Sequence, residues 1–461
     1  MSEELRRKIA ETDRKILELV AERMHTAEKV GAQKRKKGLE VVDPEVEAAV
    51  ITRAEALSNS LGLDLSLTRR LIALLIEEAV RIQDPSEKNR SQHSLSLFVE
   101  ATKGKENLED VVRLDIDEDC LPLPALVGKV LPDSAAKILA STESLETFRE
   151  TVCHWLNQRH GSDLKAEQVL ITPGSRSAAF VAILALISQG ERAIIPSPTP
   201  PLYGSTVRLV GGREYTLHTR LEDEWNIDMG KLEQLLRLRP ELMVVNVPNS
   251  PTGKVYSKKV LREMMTMAEK AKTNVLIGEK YAGYAQGFSA SLLQLAQSKL
   301  VCVNSFAPSL GMATCGFGYA VSDAYTVRRM EKIMQLSGAN VPEFSQDAVQ
   351  KALTVEQSFH REYAKEMHSR IALALEKLQH LPVRYYRPDG GLSLFPKVEL
   401  EGFDSEIFAR RLLDEDQVAV MPGQAFGDYP EHFGISLSTS KEDTSRGIMR
   451  IRSALERWER E

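Results

Sequence analysis

From about residue 97 onward, short runs rich in β-formers alternate with amphipathic stretches and Gly/Pro turns. The runs read VLIT, AIIPS, LMVVNVP, NVLIG and LVCVNS. Each is short and bounded by turn formers, and the stretches between them can hold crossover helices. That alternation restricts the segment to an α/β domain with a largely parallel sheet. At roughly 365 residues it has room for one major and one minor lobe.

The first 85 residues have another texture. Glycine occurs only at Gly31, Gly38 and Gly62, and proline only at Pro44 and Pro85. Leu5, Ile9, Ile16, Leu19, Val20, Ala27 and Val30 recur at helical spacing. Asp43-Pro44-Glu45 begins a second helix, because aspartate caps free N–H groups and proline suits the first turn. A third helix starts near Asp64–Ser66 and runs through LIALLIEEAVRIQ. The polar stretch SEKNRSQHSLS then reads as a linker. The expected organisation is a three-helix domain over 1–87, a linker over 88–97 and an α/β domain over 98–461.

Charge and cysteine usage remove several function classes. Lys plus Arg is 60 against 65 Asp plus Glu, a net charge of -5, which excludes a general nucleic-acid binder. Cys120, Cys153, Cys302 and Cys315 lie far apart without metal-ligand spacing, so neither a metal site nor a disulfide framework is expected. The longest apolar stretch, around Ala178–Ile187, is about half of the ~20 residues a membrane span needs. The opening MSEELRRKIAETDRK lacks the apolar core of a signal peptide. A cytoplasmic protein without membrane partners is the expectation.

The helical segment carries KRKK at 34–37, which alone reads as a solvated charge run. Arg23, however, precedes Lys34 by eleven residues, about three helical turns, so both lie on one face and can converge on a small dianion. Arg6 lies seventeen residues before Arg23, or ~25 Å along a straight helix. If Arg6 serves such a site, that site belongs to a partner subunit.

With LRRKIAETDRKILELVAER, VGAQK, VDPEVE and LIALLIEEAVRIQ in order, the segment resembles the all-helical class of chorismate mutase over almost its whole length. The resemblance implies a homodimer that converts chorismate to prephenate, and it implies roles residue by residue. Arg6 matches the arginine donated across the dimer, and Arg23 the principal carboxylate-binding arginine. Lys34 matches the lysine that contacts a carboxylate and the ether oxygen, which Gln83 also faces. Asp43 lies at the turn whose backbone meets the substrate hydroxyl, and Glu47 matches the glutamate that holds it. Two positions depart from one common version of the pattern: Val46 replaces a second arginine beside the glutamate, and Ala79 replaces a serine one turn before Gln83.

The larger segment resembles class I/II pyridoxal-phosphate aminotransferases, with landmarks ITPGSRSAAF, AIIPSPTPPLY, VVNVPNSPTGKVY, VLIGEKYAGYA, VNSFAPSLGMATCGFGYAV, GGLSLF, VAVMPGQAFG and FGISLST. The resemblance implies a fold type I α/β domain, and it also implies what is missing. Pro308 stands where the cofactor lysine should be, and Gly316 where an arginine binds the cofactor phosphate. Gly278 replaces the aspartate paired with the pyridine nitrogen, and Ser250 the asparagine at the ring oxygen. Pro200 replaces the ring-stacking aromatic, and Gly434 the arginine for the substrate carboxylate. Tyr281 and Ser305 are retained, as are Gly174 and Gly318. The expectation is therefore no cofactor, with pyridoxal phosphate absent, and a pseudoenzyme domain serving as scaffold or effector site. Arg149, Arg176 and Lys280 are candidates to line its emptied pocket, with an aromatic amino acid as the expected effector. The alternatives are a bifunctional mutase and pyridoxal-phosphate-dependent prephenate aminotransferase, and a non-catalytic regulatory partner protein.

Overall fold

The computed structural model describes residues 3–38, 41–83, 111–115, 142–284, 299–306, 316–339, 341, 343–353 and 356–460. The expected linker over 88–97 lies outside them, as does Pro308.

Three helices form the first part: α1 (Glu3–Lys36), α2 (Pro44–Leu61) and α3 (Leu65–Gln83). Their starts follow the sequence signals. The Asp43 carboxylate accepts from the backbone N–H groups of Glu45 and Val46 at 3.1 and 3.2 Å. Asp64 does the same for Leu67 at 2.9 Å. These acceptors satisfy donors that the first turn of a helix cannot pair internally. Gly62, at φ 66°, ends α2 in the left-handed conformation that favours glycine.

A two-residue strand β1 (Val112–Arg113) runs parallel to Val418–Ala419 in the minor lobe. The major lobe is built on β2 (Val169–Thr172), β3 (Arg192–Ser197), β4 (Arg213–His218), β5 (Leu242–Asn246), β6 (Asn274–Gly278), β7 (Leu300–Ser305) and β8 (Gly318–Val321). Their order is β2-β8-β7-β6-β5-β3-β4. The pairs from β4 to β7 are parallel, and β8 runs antiparallel to both neighbours. The five β-rich runs of the sequence thus fall on β2, β3, β5, β6 and β7. Their continuous apolar character follows from burial on both faces. The apolar stretch near Ala178 is the helix Gly174–Leu186, which lays Ala178, Ala182 and Ile183 against the sheet. Among the described residues, no helix is long and apolar enough to cross a membrane, and no group of His, Cys, Asp and Glu is placed to hold a metal.

The helical region docks at the β4 end of this sheet. Val42 and Ala48 pack on the core that includes Leu232, Leu235 and Tyr215. Ile51, Ile72 and Ile76 line a seam of about 10 Å³ against Arg192, Arg213 and Tyr215. The seam has room for about one water molecule.

Candidate functional site

Two groups of residues were singled out by the sequence, and the structure treats them differently. In the helical region, α1 and α3 meet closely at Gly31 and Gln83. A Cβ on Gly31 would lie 2.6 Å from Gln83 Cγ, so only glycine allows this approach. Lys34 follows on the same face one turn later, and its Nζ donates to Val41 O at 2.6 Å, beside the Asp43 turn. Arg23 donates to Leu75 O at 2.5 Å, and burial pulls its pKa down. Gln83 is buried, and its Oε1 has no partner. Ala79 is buried one turn earlier on α3. Lys34, Gln83 and the Asp43 turn are therefore brought to one end of the helical region.

Arg6 is not part of that grouping, whereas Glu47 follows the Asp43 turn by one helical turn, its N–H donating to Asp43 O at 3.0 Å. Arg6 is exposed toward the far end of α1. Glu47 is 7% exposed and faces the α/β domain. Its Oε1 accepts from Arg213 at 2.9 Å, and its Oε2 from the Tyr215 hydroxyl at 2.5 Å. The Arg213 guanidinium also lies 5.0 Å from the Tyr215 ring centroid. Burial pushes the Tyr215 hydroxyl pKa well up, Arg213 opposes that shift, and Glu47 adds to it. Neither Arg213 nor Tyr215 was visible as a site residue. They are ordinary members of a strand 166 and 168 positions from Glu47.

Gly31→Val tests the close approach. Its side chain must push α1 off α3, and overpacking of this kind costs about 1–3 kcal/mol. Thermal unfolding followed by circular dichroism should show a lower midpoint than wild type; an unchanged midpoint would contradict the packing described.

The second group converges on one cleft. Pro200, Ser250, Gly278, Gly434 and Tyr281 all line a cavity of about 290 Å³ at the strand ends, together with Arg176 and Lys280. Arg149 does not join them; it is paired with Glu331 at 2.6 Å. Gly316 sits in an exposed turn at φ 60°, and Ser305 Oγ donates to Phe317 O at 3.0 Å. At Gly278 the wall is tight: a Cβ would press into Asn246 Oδ1 and lie 3.0 Å from the Tyr203 hydroxyl. Tyr203 donates to Asn246 Oδ1 at 2.7 Å, and Asn246 Nδ2 donates to Thr199 Oγ1 at 3.0 Å. A hydrogen-bonded row thus closes the space an acid at 278 would enter. Lys280 Nζ lies 4.6 Å from the Tyr281 ring centroid.

Gly278→Asp should consequently lower stability by about 1–3 kcal/mol, because it forces Asn246 off Tyr203 in a packed wall. Denaturant unfolding checks this, and a variant as stable as wild type would mean the wall yields freely.

Comparison with known proteins agrees with both halves of this geometry. Residues 109–451 match the family model "Aminotransferase class I and II", and residues 5–84 match "Chorismate mutase type II". An aspartate aminotransferase of Pyrococcus horikoshii is 28% identical over 78% of this chain and 93% of its own length. A "probable aspartate/prephenate aminotransferase" of Aquifex aeolicus is 25% identical over 69% of this chain and 83% of its own. The solved aspartate aminotransferase of Thermotoga maritima superposes with a TM-score of 0.71 at 26% identity, over 79% of this chain and 96% of that one.

These matches correct the expectation of no cofactor. Class I and II aminotransferases work with pyridoxal phosphate, and the cleft of that fold is present as a cavity, so pyridoxal phosphate returns as a candidate ligand of it. The missing side chains misled because they remove particular contacts, not the cavity. Tyr281, Lys280 and Arg176 offer a hydroxyl and two cations there, whereas Gly278, Ser250 and Gly434 bring no charged side chain. The family's acid and its carboxylate-binding arginine are thus not supplied at those positions.

Proposed function

The chain belongs to the class I and II aminotransferase family and carries a type II chorismate mutase domain ahead of it, and from that we propose a dimeric chorismate mutase whose α/β domain binds a small anionic ligand and supports the mutase site. The observation that carries the reading is the meeting of Lys34, Gln83 and the Asp43 turn at one end of the helical region. Chorismate rearranges to prephenate in one pericyclic step that needs no nucleophile. Its enzyme must hold the compact diaxial conformer and stabilise charge developing on the ether oxygen. Arg23, and Arg6 from a second copy, would take the two carboxylates. Lys34 and Gln83 would donate to the ether oxygen, and Glu47 would accept the substrate hydroxyl. The buried Gln83 amide suits that task because a fixed donor in a dry site costs little reorganisation.

Two features support the dimer. Leu5, Ile9, Ile16 and Leu19 form an apolar stripe on α1 that is 50–65% exposed in the single chain. Arg6 stands on the same helix, too far along it to reach its own chain's site. A second copy covering the stripe would bring its Arg6 to the first copy's Arg23.

A second reading is a bifunctional enzyme that goes on to aminate prephenate, favoured by the relative named for aspartate and prephenate. One experiment separates the two. The purified chain is given chorismate with glutamate or aspartate, with and without added pyridoxal phosphate, and both products are measured. Thermal shift with phenylalanine, tyrosine, prephenate and pyridoxal phosphate then identifies the cleft's ligand. Prephenate accumulating without an aminated product supports the first reading; amino transfer establishes the second.

A further inference from the structure

The mutase pattern has an arginine beside its glutamate, and this chain has Val46 there, with its side chain 57% exposed. The structure nevertheless places an arginine on that glutamate from elsewhere. We propose that Arg213 and Tyr215 of the α/β domain are positioning residues of the mutase site, orienting the Glu47 carboxylate for the substrate hydroxyl. The inference rests on the mutase reading and adds a cross-domain component to it.

The geometry supports it. Arg213 and Tyr215 each take one lone pair of Glu47, one per oxygen. A carboxylate has about four acceptor sites, so Glu47 keeps capacity for a further hydroxyl donor. Fixing both oxygens removes the rotational freedom that a lone glutamate on the first turns of a helix would have. Arg213 also has an unspent donor, since its buried Nη1 has no partner.

Docking alone does not call for this arrangement. A buried ion pair across a seam seldom stabilises more than apolar residues of similar size would, because both charges must be desolvated. The seam mixes apolar Val42, Ala48, Ile51, Ile72 and Ile76 with polar Glu55, Thr68, Arg69 and Arg192, and the Arg69–Glu55 pair stays within the helical region. The buried pair that crosses the seam falls on Glu47, the residue matched to substrate binding, and that points to the site rather than to cohesion.

The test uses the full chain. Arg213→Ala should lower kcat/KM for chorismate about 10- to 100-fold, the usual worth of a hydrogen bond to a charged group. KM should rise, because the hydroxyl loses a fixed acceptor. Arg213→Lys should recover part of the loss, and Tyr215→Phe should show a smaller loss of the same kind. A purely structural role would reduce the active fraction, lowering kcat with KM unchanged and without rescue by lysine. That pattern would overturn the proposal, as would an Arg213→Ala chain that turns over as fast as wild type or faster. If Arg213→Ala fails to fold, Tyr215→Phe removes one donor without a cavity and carries the test alone. A wild-type chain without turnover sinks the mutase reading itself, whereas normal turnover with unaffected Arg213 and Tyr215 variants sinks only this inference.

Discussion

Glu47→Gln should lower prephenate formation on the order of 100-fold, the scale seen when one preorganised polar contact is removed. The substitution keeps the side-chain shape but replaces a charged acceptor with a neutral one. Glutamine rather than alanine is the informative change, because Glu47 is buried at 7% exposure and holds Arg213. Alanine would leave Arg213 as an uncompensated buried charge, which is strongly destabilising. With glutamine, Oε1 still accepts from Arg213, so the guanidinium keeps a hydrogen-bond partner although its charge is no longer balanced, and the stability loss should be smaller than alanine's. Activity and melting point measured on the same preparation separate the two effects. Near-wild-type turnover in a folded Glu47→Gln chain would remove Glu47 from the site.

The second large effect is a recovery. Arg6→Ala and Glu47→Gln chains, each inactive alone, should regain activity when refolded together. A site built from one copy's Glu47 and the other copy's Arg6 is intact once in each mixed dimer and doubly altered in the other site. Random pairing makes about half the dimers mixed, so roughly a quarter of the wild-type rate should return. If Arg6 acted within its own chain, every site in the mixture would carry a defect and nothing would be regained. No recovery with demonstrated mixed dimers would therefore refute the shared site.

Much of the framework was readable because the signals are local. The β-rich runs fall on strands because each is a continuous apolar stretch bounded by turn residues, which suits a sheet buried on both faces. Asp43 and Pro44 marked the start of α2 because capping acts over three residues. The spacing of Arg23, Lys34, Asp43, Glu47 and Gln83 carried the mutase resemblance, and Lys34, Gln83 and the Asp43 turn do come together.

Long-range features were not readable. Nothing near Arg213 or Tyr215 marks them as partners of Glu47, because the contact is made by docking one domain on another. Nothing local marks Gly31 as the point where Gln83 packs against α1. The row Tyr203–Asn246–Thr199 behind Gly278 likewise depends on the end of β5, the turn after β3 and the helix Leu202–Leu209 meeting. The cofactor expectation failed for a related reason. Reading side chains one at a time counts lost contacts, whereas a ligand cavity is a property of the assembled strand ends.

The most direct test is the rate of chorismate loss and prephenate appearance with the purified full-length chain in buffer free of added metal and cofactor. Saturable conversion of chorismate to prephenate, far above the uncatalysed rate, is the result expected. Chorismate disappearing no faster than in buffer alone, with dimeric and folded protein present, would contradict it.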